Sequence, residues 1–284
     1  FRGDPRLFDS GLSEIVTRTN WHSIGVVPWF ERASSLPAED VMDIKSSMSG
    51  RFKIAVPRLS RIANFDDLDP LKLEPSVSVQ IVEPGQTLPV DANLVLIPGT
   101  KSTIADLAFF RAQGWDIDLA GHIRRGGNVL GICGGFQMLG REIDDPQGIE
   151  GAPEKVAGLG HLDIVTIMHP EKHLANVNAE YLLTGQMLTG YEIHIGKTTG
   201  PDCNRPMLEV NERPAGAQSE NGRVQGCYLH GMFASDGFRK SFLSNLGVKA
   251  SRMLYSVEID QTLNSLAAHL EGCLDLDMLL DIAR

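Results

Sequence analysis

Cysteine is scarce in this 284-residue chain: Cys133, Cys203, Cys227 and Cys273 are far apart, and no two have C-x-x-C spacing. That excludes a disulfide scaffold and the common zinc and redox motifs, and it points to a reducing, cytoplasmic compartment. Positive charge is also short. Lys and Arg total 26 against 36 Asp and Glu, a formal net charge of −10. Binding to nucleic acid or to an anionic membrane needs clustered Lys and Arg, so neither partner is expected. No run reaches the roughly 18 apolar residues of a transmembrane helix. The first residues, Phe1-Arg2-Gly3-Asp4, carry no initiator Met, basic n-region or apolar h-region, so they read as a cut within a longer chain rather than a signal peptide. Internal repeats and low-complexity tracts are absent.

What is present is an ordinary globular composition, 42% hydrophobic and 22% charged. Residues 7–21 have helical spacing, with Leu7, Leu12, Ile15 and Val16 on one face. Ser23–Trp29 is a short apolar run that suits a buried strand. The polar stretch 31–50 is the best linker, which places a boundary near residue 50. From there strands alternate with helices: 52–56, 77–82, 94–97 and 129–132 read as strands. A helix capped by Ser102 or Thr103 follows the third, and another opens at Gly134-Gly135. Further strands are expected at 162–168, 191–196 and 225–229, and a helical tail at 258–282. This order predicts an α/β fold with a mostly parallel sheet flanked by helices.

The chemistry is densest at Gly131-Ile132-Cys133-Gly134-Gly135-Phe136-Gln137, directly after the apolar Asn128-Val129-Leu130. A nucleophile on a sharp strand-to-helix turn needs small neighbours, because the turn is strained and backbone must approach substrate. A helix N-terminus favours thiolate over thiol, and the Gly134 N–H could stabilise an oxyanion. The alternative is a buried structural cysteine in a glycine-rich turn.

A cysteine nucleophile needs a base. Of eight histidines, His230 is the best candidate, because it ends the strand-like 225–229 and precedes Gly231. Pro98-Gly99-Thr100-Lys101-Ser102-Thr103 ends the 94–97 strand, and the Gly99 and Thr100 N–H groups could complete an oxyanion hole. The Lys before a helix start suggests phosphate binding, but the P-loop spacing G-x-x-x-x-G-K-[ST] is missing.

These segments carry a resemblance. G-x-C-x-G-x-Q is similar to the nucleophile elbow of class I (triad-type) glutamine amidotransferases. Tyr228-Leu229-His230-Gly231-Met232-Phe233 resembles the Y-x-H-G-x-F of their cobyrinate branch. Gly190-Tyr191-Glu192-Ile193-His194-Ile195-Gly196 resembles an element of the cobyric acid synthase family, as do the 98–103 loop and Pro57–Asp67. The resemblance implies a flavodoxin-like fold in which Cys133 attacks glutamine to form a thioester, His230 moves protons and Gln137 contacts the bound glutamine. The alternative for Gln137 is a solvent-facing helix residue. His194 either lines the acceptor side of the site or is a strand histidine in a hydrogen-bond network. Most class I members have a Glu two residues after the His. That position is Met232 here, so a Cys133–His230 dyad is the expectation, with the ring oriented by another group such as a backbone carbonyl.

The resemblance further implies a division into 1–50, the end of a dethiobiotin-synthetase-like ATP domain plus linker; 51–240, the amidotransferase domain; and 241–284, a C-terminal helical segment. It implies that the corrinoid substrate and the ATP and Mg²⁺ that activate it belong to a preceding domain, with no metal or cofactor in this chain. The sister a,c-diamide synthase and the lipid II amidotransferase subunit remain open, as do an inactive binding module and a cysteine peptidase on the same fold.

Overall fold

The computed structural model describes residues 1–37 and 45–284. Its contacts divide the chain into two units, Phe1–Pro37 with Ser256–Arg284, and Ala38–Tyr255.

The larger unit is built on a seven-stranded sheet. Its strands run in the order Ser47–Met48, Val77–Val82, Phe52–Pro57, Leu94–Ile97, Asn128–Ile132, Val224–Cys227, Ala217–Gln218. The five inner strands are parallel, and the two short edge strands are antiparallel. Inner strands of a parallel sheet are covered on both faces, so they read as continuous apolar runs. Leu94, Val95, Leu96 and Ile97 are accordingly all buried, as are Ile54, Val56, Val129, Leu130 and Ile132. The α/β class with a mostly parallel sheet is as expected, and the four strands read at 52–56, 77–82, 94–97 and 129–132 lie where they were placed.

A second sheet orders Arg213–Ala215, Leu208–Val210, Val165–Tyr181, Glu142–Asp145 and Glu154–Ala157. Gln186–Thr199 pairs with Val165–Tyr181 to make a long hairpin, and its Glu192 and Tyr191 pair with Leu229 and His230. This last pairing brings the hairpin to the end of the first sheet, where His230 lies.

Some local readings change. Ser102 makes no side-chain cap on helix Thr103–Ala112. The Glu150 carboxylate does so instead, accepting from the Thr103 and Ile104 N–H groups at 2.8 and 2.9 Å. Asp145 holds that loop by accepting from the Ile149 and Glu150 N–H groups. Ser23–Trp29 forms no strand: its ladder contact is a single bridge from Gly25 to Leu274, and most of its side chains are half-exposed. The linker reading at 31–50 falls partly on residues 38–44, outside the described residues, while Ser47–Met48 pairs with Ser78 and Val79 at the sheet edge. Likewise helix Asp236–Asn245 crosses residue 240. Its buried Arg239 binds Glu74, Asp236 and the Phe233 carbonyl, which fixes it to the larger unit.

In the smaller unit, helix Asp9–Thr19 ends at left-handed Asn20, whose N–H bonds the Val16 carbonyl. The tail forms two helices, Tyr255–Glu271 and Leu276–Ile282, and Asp275 caps the second through Met278 N–H. Ile24 O accepts from Asp275 N–H at 2.7 Å, and Arg32 donates to Thr262 and Ser265. Among the described residues, no helix is long and apolar enough to cross a membrane.

Candidate active site

Cys133 ends strand Asn128–Ile132 and precedes helix Gly134–Leu139. Its φ is 54° and ψ −111°, a conformation that costs a non-glycine residue of order 1–3 kcal/mol and is held only where surroundings over-determine it. The surroundings do so by close approach. A side chain at Gly135 would meet the Ile97 carbonyl, and one at Gly131 would meet Gly135 itself. Cys133 N–H bonds the Cys227 carbonyl of the neighbouring strand at 2.9 Å. The thiol, 8% exposed, points to the Ile193 carbonyl at 3.3 Å.

His230 is fully buried. Its Nδ1 lies 2.7 Å from Asp67 Oδ2, and Asp67 Oδ1 accepts from the Gly231 N–H at 2.6 Å. The ring stacks on Tyr191 with 5.3 Å between centroids, and the Tyr191 hydroxyl accepts from Asn64 Nδ2. Nε2 is buried and has no hydrogen-bond partner among the described residues. Burial disfavours the imidazolium. The Asp67 carboxylate and, secondarily, the Cys133 sulfur outweigh that, and the His230 pKa is pushed up to about 10. The ring is therefore held by a buried carboxylate and not by a backbone carbonyl. Cys133, His230 and Asp67 form a three-member arrangement, where two members were expected.

The other expected residues divide. Thr100, Gln137 and His194 line one cavity of about 310 Å³ with Cys133. Gly99 lies under the imidazole: a Cβ there would stand 3.0 Å from His230 Cε1. Gly134 abuts the same loop, since a Cβ on it would meet Thr100 Cγ2 at 2.5 Å and Thr100 N at 3.3 Å. The Thr100 N–H and the start of the elbow helix thus adjoin, as an oxyanion pair requires. Asp106 fixes this loop by accepting from Thr100 Oγ1, Ser60 Oγ and Arg61 N–H.

Gln137 does not face solvent. It accepts from Thr103 Oγ1 at 2.9 Å and donates to the Ile195 carbonyl and the Tyr228 hydroxyl at 2.9 and 3.1 Å. Both amide protons are thus committed to protein acceptors, which fixes the carboxamide. His194 stacks on Tyr228 at 3.7 Å between centroids. Burial, then the neighbouring His173, lowers its pKa to about 4, so the ring is neutral at physiological pH. Cys227 is an unsuitable nucleophile, because burial pushes its thiol up to about 12.

Two contributors escaped sequence reading. Asp67 lay inside the quoted 57–67 segment, but a local motif gives no sign that a carboxylate 163 positions away will meet His230. Glu150 sits in a loop with no motif at all. Its carboxylate occupies the helix N–H groups that an anion would need, a physical reason why the Lys101 loop is not a phosphate cradle.

Comparison with known proteins decides the family. The domain family described as CobB/CobQ-like glutamine amidotransferase matches residues 53–238. The chain belongs to that family. Within it, a cobyric acid synthase of Cereibacter sphaeroides is 56% identical over 285 residues, covering 100% of this chain and 59% of that protein. A cobyric acid synthase of a Ruegeria species is 57% identical over 284 residues, covering 100% of this chain and 58% of that protein. The amidotransferase chain thus spans just under three-fifths of the curated relatives' length. Among solved structures, PurLQS from Thermotoga maritima superposes with a TM-score of 0.54 at 19% identity, over 69% of this chain and 99% of that one. That likeness supports the fold.

Proposed function

We propose that this CobB/CobQ-like amidotransferase chain is the glutaminase part of a cytoplasmic cobyric acid synthase. In the whole protein, glutamine nitrogen would amidate the b, d, e and g carboxylates of adenosylcobyrinic acid a,c-diamide. The observation that carries the reading is the buried Asp67–His230 pair beside the strained Cys133, on a chain 54–57% identical to curated cobyric acid synthases along its full length. ATP and Mg²⁺ would activate each carboxylate in the part of the whole protein that this chain does not span. The described residues hold no P-loop spacing, so no step of that activation is assigned to them.

The cavity suits glutamine. Its wall carries one carboxylate, Glu150, and two ammonium groups, Lys101 and Lys172, the opposite charges of an amino acid's α-ammonium and α-carboxylate. Cys133 thiolate adds to the side-chain amide carbon, and the oxygen takes the charge facing the Gly134 and Thr100 N–H groups. His230, protonated across neutral pH, gives its Nε2 proton to the departing nitrogen, so ammonia leaves and a Cys133 thioester remains. The now neutral ring takes a proton from water, which attacks the thioester carbon and releases glutamate. Asp67 stays ionised and holds the ring by Nδ1–H, as a positioning residue.

The test uses the full-length protein. Cys133→Ser is expected to abolish amidation with glutamine while sparing amidation with added ammonium. Equal loss from both nitrogen sources in a folded variant would make Cys133 structural and overturn the reading. A specific observation disfavours an inactive binding module: both the nucleophile and a base with its carboxylate are assembled.

A further inference from the structure

The hairpin beside the elbow carries a cluster that glutamine hydrolysis does not use. His173 pairs across the strands with His194, and Ala175 with Glu192. Residues two apart on a strand share a face, so Glu192 and His194 project together and His173 joins them from the opposite strand. An irregular register between Ile167 and Lys172 immediately precedes His173, the kind of local kink that re-aims a side chain.

The donor atoms converge. One possible ligand atom from each of the three lies within 4.8 Å of the other two. His173 Nε2 is 3.2 Å from Glu192 Oε2. Ligands about 2.0–2.2 Å from a tetrahedral ion sit roughly 3.4 Å apart, so this pair already has the spacing of one tetrahedral edge. The two imidazoles are 5.3 Å apart and tilted by 47°, which lets both approach a common point. His194 Nδ1 donates to the Gly196 carbonyl at 3.2 Å, leaving Nε2 as the ring's lone pair. A ring N–H fixed on a carbonyl is the usual outer support of a metal-binding imidazole.

We propose that His173, Glu192 and His194 bind a divalent transition cation of the Zn²⁺ class. Two imidazoles and one carboxylate suit that class and not Mg²⁺ or Ca²⁺, which take oxygen ligands. Three protein ligands leave the fourth tetrahedral position for water or an incoming group. Because His194 lines the cavity that holds Cys133, the cation sits at the cavity wall.

Cys133 could itself take Zn²⁺, so the experiment uses Cys133→Ala protein. Zn²⁺ is titrated in competition with a chromophoric chelator, with excess Mg²⁺ present throughout. One Zn²⁺ per chain is expected. His173→Gln and Glu192→Gln in the same background should each weaken it by at least about tenfold, as loss of a ligand does where even outer support is worth about 10–100-fold. Zn²⁺ should raise the melting temperature of the Cys133→Ala protein and not of the two double variants. The His173 side chain is about half exposed, at 52%, so its substitution is compatible with folding. Stoichiometry below one half, competition by Mg²⁺, or an affinity unchanged by both substitutions would overturn the site and leave His173–Glu192 as a polar contact.

Discussion

Replacing Asp67 with Asn tests the arrangement at its most informative point. The side chain keeps its shape, and its oxygen can still accept from the Gly231 N–H, the 2.6 Å contact that anchors the turn. What changes is the group facing Nδ1, where a carboxylate that accepts becomes an amide that donates. The ring must then present Nδ1 as acceptor and carry its proton on Nε2. In that tautomer Nε2 cannot take the Cys133 proton. The charge is lost as well. Burial lowers the His230 pKa, and Asp67 is the chief group opposing it, so the value falls from about 10 towards and below the usual 6.5. In triads the same exchange costs up to about 10⁴-fold, and general acid–base help is typically worth about 10²–10⁴-fold. Glutaminase kcat/KM of Asp67→Asn should therefore drop by about 10²–10⁴. The pH profile supplies a second reading. His230 must be protonated to release ammonia, so the parent's alkaline limb lies near its raised pKa, and the variant's moves towards neutrality. The stability sign agrees: a raised folded-state pKa stabilises fully below the unfolded value near 6.5, and that contribution is lost as pH rises towards 10. A folded Asp67→Asn enzyme within threefold of the parent, with an unmoved alkaline limb, would refute the argument.

Two further expectations follow from the same geometry. A glutamine-like diazo-ketone should label Cys133 alone, because Cys227 is held as a thiol by burial; peptide mass mapping that finds Cys227 modified first would displace the site. Gly99→Ala places a Cβ 3.0 Å from His230 Cε1 and 3.3 Å from the Ala63 carbonyl, so it should shift the imidazole and cut kcat/KM by about 10–10², a scale set by sub-ångström misplacement of reacting groups, with little change in melting temperature; a parent-like rate would show that the ring tolerates the contact.

The legible parts of the molecule were those whose cause is local. The inner strands announce themselves as apolar runs because both faces are covered. Cys133 announces itself because a strained nucleophile turn needs glycines at fixed offsets. Where the cause is distant, the sequence is silent. Thr103–Ala112 looks self-capped by Ser102 or Thr103, yet Glu150, 47 positions from Thr103, takes that role. Ser23–Trp29 had strand composition, but a strand needs a partner along its length, and a single bridge to Leu274 is what it found. A short helix leaves a solvent-facing Gln137 open as an alternative, whereas three hydrogen bonds to other segments decide where it points.

The carboxylate shows why such a displacement can be complete. A Glu two residues after the histidine works when the chain continues along the site. Here Gly231 takes φ 74°, a left-handed turn that carries the chain inward, and Met232 is fully buried in the core. A charged side chain at 232 would be desolvated there, so Met232 suits this backbone. The same turn aims the Gly231 N–H at Asp67, giving that carboxylate two donors, one from the ring and one from the main chain. The glycine of that turn therefore helps to hold the carboxylate supplied by position 67. Changing Met232 to Glu should consequently not create a second orienting group; it should destabilise the core first.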